Sequence, residues 1–529
     1  MIIRVTGIRA SLDDDLSDLR CFCCKKLKID SSQINSVKLF RKSVDARKKN
    51  DVHFVISLDI EAANGERLLR RLKNASEVTY NEYKTEAVPE NSERPVIVGF
   101  GPAGMFAALV LAMSGARPIV LERGLDVDRR CEKVDEFRNT GRLDTECNVQ
   151  FGEGGAGTFS DGKLNTGIRD GRIGWILERF VEFGAPGEIL YLAKPHIGTD
   201  KLREAVKALR ERVISLGGEV HFGSKVICLG TSSGAVSSVE YVENGSKHTI
   251  ETHNVILATG HSARDIFEML YDNNISLSQK TFSVGVRIEH RREDIDRAMY
   301  GNSAGHPALK AADYKLAVHL PNGRSLYTFC MCPGGYVMAA SSEEGRLAVN
   351  GMSCFARDAE NSNSALLVNI FTEDMGSDHP LAGMYIQRDI EEKAFKAGGS
   401  DYSAPCISVG DFLSGNITGK FGSVTPSYHP GVKISSPEEY LPGFVCETLK
   451  LGIPEMGKRI NGFDSPDAVL TGVESRSSSP VRIDRGDDLQ SVSLRGLYPC
   501  GEGAGYAGGI VSAAVDGMKC AEAVINSLL

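Results

Sequence analysis

Pro95-Val96-Ile97-Val98-Gly99-Phe100-Gly101-Pro102-Ala103-Gly104, followed by a small-residue stretch to Ser114 and then Ile119-Val120-Leu121-Glu122, is the passage that decides the fold. It reads as an apolar strand, a glycine turn, a helix from about Pro102 to Ser114 and a second strand closed by an acid. That is a complete first βαβ unit of a dinucleotide-binding domain. Gly99 permits the tight turn, Gly101 lets backbone come close to a pyrophosphate, and Gly104 lets the helix pack on the strand. The N–H groups at the start of the helix, with Pro102 and Ala103, then face the pyrophosphate. Glu122 is placed to accept hydrogen bonds from an adenosine ribose.

The far end of the chain chooses the dinucleotide. Gly496-Leu497-Tyr498-Pro499-Cys500-Gly501-Glu502-Gly503-Ala504-Gly505-Tyr506-Ala507-Gly508-Gly509-Ile510 precedes an apolar-periodic helix that runs to about Ser527. Too little chain follows for another βαβ unit, which takes roughly 30 residues. The stretch reads instead as a strand, a bend beginning at Gly501, and a helix aimed at the same cofactor. Glu502 would bond ribityl or ribose hydroxyls. The N–H groups after Gly508, at Gly509 and Ile510, would face the edge of a flavin where negative charge gathers on reduction. Val255–Leu257 with Ala258, Thr259 and Gly260 gives a third apolar strand ending in a small-residue turn. The expected cofactor is FAD, bound non-covalently.

GFGPAG with LERG (which contains Arg123), ILATG and LYPCGEGAGYAGGI together resemble the glutathione-reductase-type FAD-binding fold. KSVDARKK (42–49), QFGEGGAGTFSDGKLNTG (150–167), FCMCPGG (329–335) and LTGVESRSSSPVRI (470–483) narrow the resemblance to a bacterial family of uncharacterised FAD-dependent dehydrogenases. The resemblance covers nearly the whole chain. It implies FAD binding and redox chemistry and brings no catalytic residue with it. Glu502 stands where many FAD proteins of this type have Asp.

The chain has 529 residues, 42% hydrophobic and 25% charged, with a net charge of −8. That is enough for two to four domains with packed cores, and the acidic balance argues against nucleic-acid or anionic-membrane surfaces. Thirteen cysteines, with no leader-like N-terminus, point to free thiols in a reducing cytoplasm. No window reaches the roughly 18 uninterrupted apolar residues of a membrane span.

The expected fold class is α/β: a Rossmann-like FAD domain in two parts (91–280 and 466–529), an inserted α+β substrate or cap domain (281–465), and an N-terminal ferredoxin-like α+β domain (1–90). In the last, strands at Ile2–Ile8, Val37–Arg41, Val52–Ile60 and Val78–Lys84 alternate with helices at Asp13–Leu27 and Glu66–Lys73 in βαββαβ order. Glu86–Arg94 reads as a polar linker. Gly198–Leu216 reads as a helix, and Glu219–Leu229, with Val226, as a strand beside the adenine. Asn244-Gly245 reads as the tip of a hairpin.

Several patterns carry weaker chemistry. Gly157 to Lys163 nearly matches a phosphate loop, but Leu164 replaces the required Ser/Thr and no helix follows. The glycine-rich stretch, with Gly155 and Gly157, is instead expected to lie over the FAD pyrophosphate and flavin, with Lys163 near the flavin. Cys330 and Cys332 at i, i+2 would share one strand face. They and Lys163 are the catalytic candidates, set against the alternatives of two buried apolar thiols and an exposed lysine. The C-x4-C and C-x-x-C spacings of disulfide oxidoreductases with this fold are absent near the first nucleotide motif, which disfavours that activity. Cys21-Phe22-Cys23-Cys24 lacks a second ligand pair for zinc, and no metal site is expected. Gly301-Asn302-Ser303-Ala304-Gly305 lacks the strand and helix of a hydrolase elbow. Lys38, Arg41, Lys42, Arg47, Lys48 and Lys49 form a basic cluster without accompanying aromatics. Arg129 and Arg130 follow the ribose acid and are placed to neutralise pyrophosphate. Arg287 with Glu289, and Arg476 with Arg482, are placed to line the insert-domain cleft or to form ion pairs.

These readings converge on an FAD-dependent oxidoreductase that transfers hydride through flavin N5. NADH or NADPH is expected only as a transient reductant, since no second βαβ nucleotide motif occurs. The expected partner is a small-molecule substrate, not a nucleic acid or a membrane. The alternatives are a flavin-dependent modifier of RNA or another macromolecule, and a non-enzymatic FAD redox sensor. Oligomeric state is not legible in the sequence.

Overall fold

The computed structural model describes residues 1–80 and 82–529. The passage around residue 100 forms a strand at Val96–Val98, a helix at Pro102–Met113 and a strand at Ile119–Glu122. These join a five-stranded sheet with Glu219–Phe222, Val255–Leu257 and Leu497–Pro499, paired in parallel throughout, with Val96–Val98 at its centre. The strand carboxyl ends therefore share one edge, where open α/β sheets bind ligands. The helix Pro102–Met113 is buried along nearly its whole length and packs against the C-terminal helix Ile510–Leu528. This contact brings the two ends of the FAD-motif sequence together.

The expected single strand Glu219–Leu229 is two strands. Gly223, at φ +67°, turns the chain out of the parallel sheet after Phe222, and Ser224–Ser232 starts a three-stranded antiparallel sheet with Ala235–Glu243 and Ser246–Glu251. Its second hairpin closes on Asn244 and Gly245, both at positive φ, as a tight two-residue turn requires.

Residues 1–78 have βαββαβ order, with strands Ile2–Ala10, Ile34–Asp45, His53–Ala62 and Ala75–Val78. The sheet runs second, third, first, fourth strand, all antiparallel. Ile3, Val5, Ile56, Leu58 and Ile60 form its core with Phe22 and Leu68 from the helices. The first helix begins at Leu19 rather than Asp13. Asp18 caps Cys21 N, while Asp14 and Asp15 hold Ser11 and Ser17 backbone in the preceding loop. The last strand lies at Ala75–Val78, ahead of the expected span 78–84, of which Asn81 lies outside the described residues. Beyond it the chain is strapped to the FAD region. Tyr83 packs against Trp175 at 4.9 Å and donates to Glu522, and Val88 N donates to Ser114 O.

From Phe282 a seven-stranded mixed sheet dominates. Its order is Ala317–His319, Ser325–Cys332, Asn361–Ile370, Phe282–Arg291, Val469–Glu474, Ala404–Ser408 and Val432–Ile434. Val469–Glu474 is hydrogen-bonded between the fourth and sixth of these strands, so the sheet continues past the boundary expected at residue 465. Phe282–Arg291 is buried on both faces. Among the described residues no helix is long and apolar enough to cross a membrane.

Candidate functional site

A cavity of about 450 Å3 opens at the carboxyl edge of the parallel sheet. Two helices start on its wall, Pro102–Met113 and Ile510–Leu528, and neither has a side-chain cap at its N-terminus. Each leaves backbone N–H groups and a partial positive charge facing the cavity. Backbone crowding explains why glycine builds this wall. A Cβ on Gly99, whose φ is +98°, would stand 2.5 Å from Ala258 O, and one on Gly104 would stand 2.0 Å from Gly99 O. A Cβ on Gly155 would meet Gly101 Cα at 2.9 Å, whereas Gly508 and Gly509 have open space in front of them.

Most sequence-predicted binding residues line this single cavity: Gly99, Gly101, Pro102, Ala103, Glu122, Arg123, Gly155, Gly157, Val226, Ala258, Thr259, Gly260, Gly501, Glu502, Gly508, Gly509 and Ile510. Gly104 sits behind the wall, packed on the strand. Arg130 is elsewhere and has another job. It is wholly buried, donates to the carbonyls of Asn148 (2.9 Å), Glu153 (2.6 Å) and Val149 (2.9 Å), and so props the glycine loop from behind. Its guanidinium is spent on those carbonyls and does not line the cavity. Arg129 pairs outward with Asp126. Arg123 borders the cavity, but its guanidinium is held by Asp265 and Glu146 over the Phe151 ring.

Glu122 has a structural task. Its carboxylate takes the N–H groups of Phe100 (2.8 Å), Gly124 (2.9 Å) and Gly152 (2.9 Å), tying the first glycine turn to the second glycine loop. Three of about four acceptor positions are filled, which leaves one for a ligand hydroxyl. Glu502 receives Gly509 N at 3.4 Å, and burial raises its carboxyl to about 7 despite that bond and Lys280.

The second glycine stretch forms a short 3-10 turn at Gly155–Phe159, not a phosphate loop with a helix. Lys163 is not an exposed surface lysine. It borders the cavity, its Nζ lies 3.5 Å from Asp161, and that atom is buried without a hydrogen-bond partner. Burial opposes its charge, but Asp161 and the cysteines nearby hold its pKa above the ordinary lysine value.

The Cys330/Cys332 pair departs from simple alternation. Ser325–Cys332 bulges between Phe329 and Cys332, and Cys330 takes φ +42°. Cys330 consequently borders the cavity, while Cys332 is fully buried behind it.

Sequence reasoning misses part of the wall. His261, Phe329, Asn350, Glu474, Arg476 and Ser477 also line it, and of these only Arg476 is expected near a cleft. His261 directly follows the ILATG turn, and Glu474-Ser475-Arg476 lies inside the LTGVESRSSSPVRI stretch, so adjacency to a motif is the usable signal. Burial, with Arg476 and Arg264 nearby, lowers His261 to about 4. Burial lifts Glu474 to about 7, against the pull of Arg287 3.5 Å away. Arg476 is no free anion receptor: it and Arg264 clamp the wholly buried Glu391 through four N–H donors at 2.8–2.9 Å. Arg287 and Glu289 are likewise buried, with Arg287 bonded to Asn363 and Glu289 to Ser427 and Asn361. Arg482 lies over the Tyr506 ring.

Away from the cavity, the basic cluster is partly spent on internal contacts. Lys49 Nζ donates to Ala298 O and Met299 O, and the Lys42 backbone pairs with Tyr191 and Ala193. Gly301–Ser303 is a 3-10 turn after a helix, not a hydrolase elbow. Cys500, Asp516 and Cys520 bring donor atoms within 4.8 Å, but the Arg485 guanidinium takes the place a cation would fill, 2.6 Å and 3.0 Å from the Asp516 oxygens.

A family described as "FAD-dependent protein, C-terminal domain-like" matches residues 281–477, and a domain of unknown function matches residues 2–61. A protein of Clostridium beijerinckii, described as uncharacterized, is 49% identical over 532 residues, covering 99% of each chain. Among solved structures, the flavin-dependent brominase Bmp2 aligns at TM-score 0.37 and 12% identity over 82% of this chain and 79% of that one. CtdE in complex with FAD aligns at TM-score 0.31 and 14% identity over 81% of this chain and 82% of that one. At such scores these two carry no argument about the reaction.

The cavity suits FAD on its own geometry. Two uncapped helix starts, a wall that side chains would fill, an acid with one acceptor position left and a buried ammonium without a hydrogen-bond partner are what an extended, anionic dinucleotide needs.

Proposed function

The chain belongs to the family of the clostridial protein and uses FAD as its cofactor, and on that premise we propose that it is an FAD-dependent oxidoreductase of the dehydrogenase class acting on a small molecule. The parallel sheet and the two-part FAD region are read as a glutathione-reductase-type, Rossmann-like domain, the sheet of residues 281–477 as a substrate or cap domain, and residues 1–78 as a ferredoxin-like module. The cytoplasm is the proposed location.

Gly99–Gly104 and the helix start at Pro102 hold the pyrophosphate. Glu122 holds a ribose hydroxyl, and Val226 borders the adenine. Gly155 and Gly157 cover the middle of the cofactor, beside Ala258–Gly260. Gly501, Glu502 and the helix start at Gly508–Ile510 hold the ribityl and ring end, with no covalent link. When bound, the flavin supplies two-electron hydride chemistry at N5. The protein orients it, keeps water out, and sets cationic and N–H groups where negative charge gathers.

One observation carries the reading: the nucleotide motifs and the FAD-dependent domain, through Phe329, Cys330, Asn350, Glu474, Arg476 and Ser477, wall the same cavity. An anaerobic screen tests it. Loss of flavin absorbance at about 450 nm on adding NADH or NADPH is the expected result. If neither reduces the flavin, the dehydrogenase reading falls.

A further inference from the structure

Cys330 differs from the other cysteines of the chain. Cys23, Cys406 and Cys446 are buried in apolar surroundings, and burial pushes their thiols up. Cys330 is the one cysteine among the described residues whose thiol is pulled down, by the Cys332 thiol beside it and by the charges of Lys163 and Arg287. The Cys332 thiol is pushed up by Cys330 beside it and by burial. The geometry matches this division. A bulge in Ser325–Cys332 and the left-handed backbone of Cys330 bring that residue to the cavity wall. Cys332 is shut away with its Sγ 3.3 Å from Cys330 O, a carbonyl that Arg287 Nη2 also holds at 2.7 Å. A non-glycine residue held at positive φ is uncommon and marks a position the surroundings over-determine. Lys163 Nζ, buried beside the pair without a hydrogen-bond partner, supplies a cation that no acid fully engages.

We propose that Cys330 and Cys332 form a reversible dithiol/disulfide pair on the wall of the FAD cavity, with Cys330 as the attacking sulfur, and that the pair reduces low-molecular-weight disulfides. The Cys330 thiolate attacks one sulfur of the disulfide. The S–S bond breaks, a mixed disulfide forms on Cys330, and the first thiolate leaves. Cys332 then gives up its proton and attacks Cys330 Sγ, expelling the second thiolate. The pair loses two electrons and two protons, and the substrate departs as two thiols. Partly exposed Cys330 meets the substrate, and buried Cys332 resolves the adduct, as thiolate reactivity and access require. This goes beyond the flavin reading and does not depend on which reductant serves the flavin.

The holoprotein treated with excess bis(2-hydroxyethyl) disulfide tests it by intact mass and peptide mapping. The expected product is lighter by two hydrogens, with the change confined to the peptide holding residues 330 and 332. In Cys332→Ser the same treatment should leave one hydroxyethylthio adduct on Cys330. In Cys330→Ser, Cys332 should stay unmodified. In the unmutated protein, where folding is not in question, iodoacetamide at mildly acidic pH should label Cys330 about tenfold faster than any other cysteine. The proposal is overturned if both thiols survive disulfide treatment free, or if labelling and adducts fall first on other cysteines. Flavin reduction by NADH or NADPH can succeed or fail independently of either result.

Discussion

Residues 96–122 and the strand Phe282–Arg291 both bury almost everything they contain, yet they are built on opposite principles. In the first, backbone does the work: glycines without Cβ atoms, a helix start without a side-chain cap, and one acid, Glu122, taking three N–H groups. In the second, side chains do it, with Arg287, Glu289 and His290 buried in a strand whose two faces are both covered. A site built from backbone must be written contiguously, because spacing is its information. A region held by buried charges can draw its partners from anywhere in the chain.

Three substitutions sharpen that contrast. Gly104→Val asks a Cβ to stand 2.0 Å from Gly99 O, so the turn itself must move. It should destabilise by about 4 kcal/mol or more and abolish FAD retention, read as the flavin-to-protein absorbance ratio. Glu391→Gln strips the countercharge from two buried guanidiniums, Arg264 and Arg476. It should cost about 3–5 kcal/mol in denaturant melts while the folded fraction keeps its flavin. Equal flavin loss in the two variants would erase the distinction between backbone-built and charge-built regions. Glu474→Gln has the smallest effect and a sign that depends on pH. The carboxyl of Glu474 lies near 7 when folded, above its ordinary 4.5. The folded state therefore holds an extra proton between those values. The stability this group gives is complete below 4.5 and lost as pH rises through 7. Gln cannot ionise, so the variant should gain on the parent across that window, by on the order of 3 kcal/mol at most. A stability difference that stays flat from acid to neutral pH would place an ionised Glu474 against Arg287.

The same contrast explains what is legible in the sequence. The glycine turn, the ILATG turn and the C-terminal bend each carry spacing rules, so the order of residue types is enough to name their members, and most of these line one cavity. The βαββαβ order of the first 78 residues is readable because alternation survives on its half-exposed strands. Arg130 reads as a pyrophosphate ligand only because it follows the ribose acid closely, and proximity in sequence says nothing about which way a helix turns its side chains. It points inward, to three carbonyls. The sheet beyond residue 281 gives little away. Its central strand lacks an exposed face and so shows no alternation, and most of its neighbouring strands are not consecutive in the chain. His261 and Glu474 escape a sequence reading because a single titratable residue carries no spacing signal.

Tyr83 docks on Trp175, the one tryptophan in 529 residues. Indole emission from this protein therefore has a single source, seated where the strap from the N-terminal module crosses the FAD region. A fluorimeter can follow the seating of that strap in solution, with no engineered label, separately from the colour of the flavin.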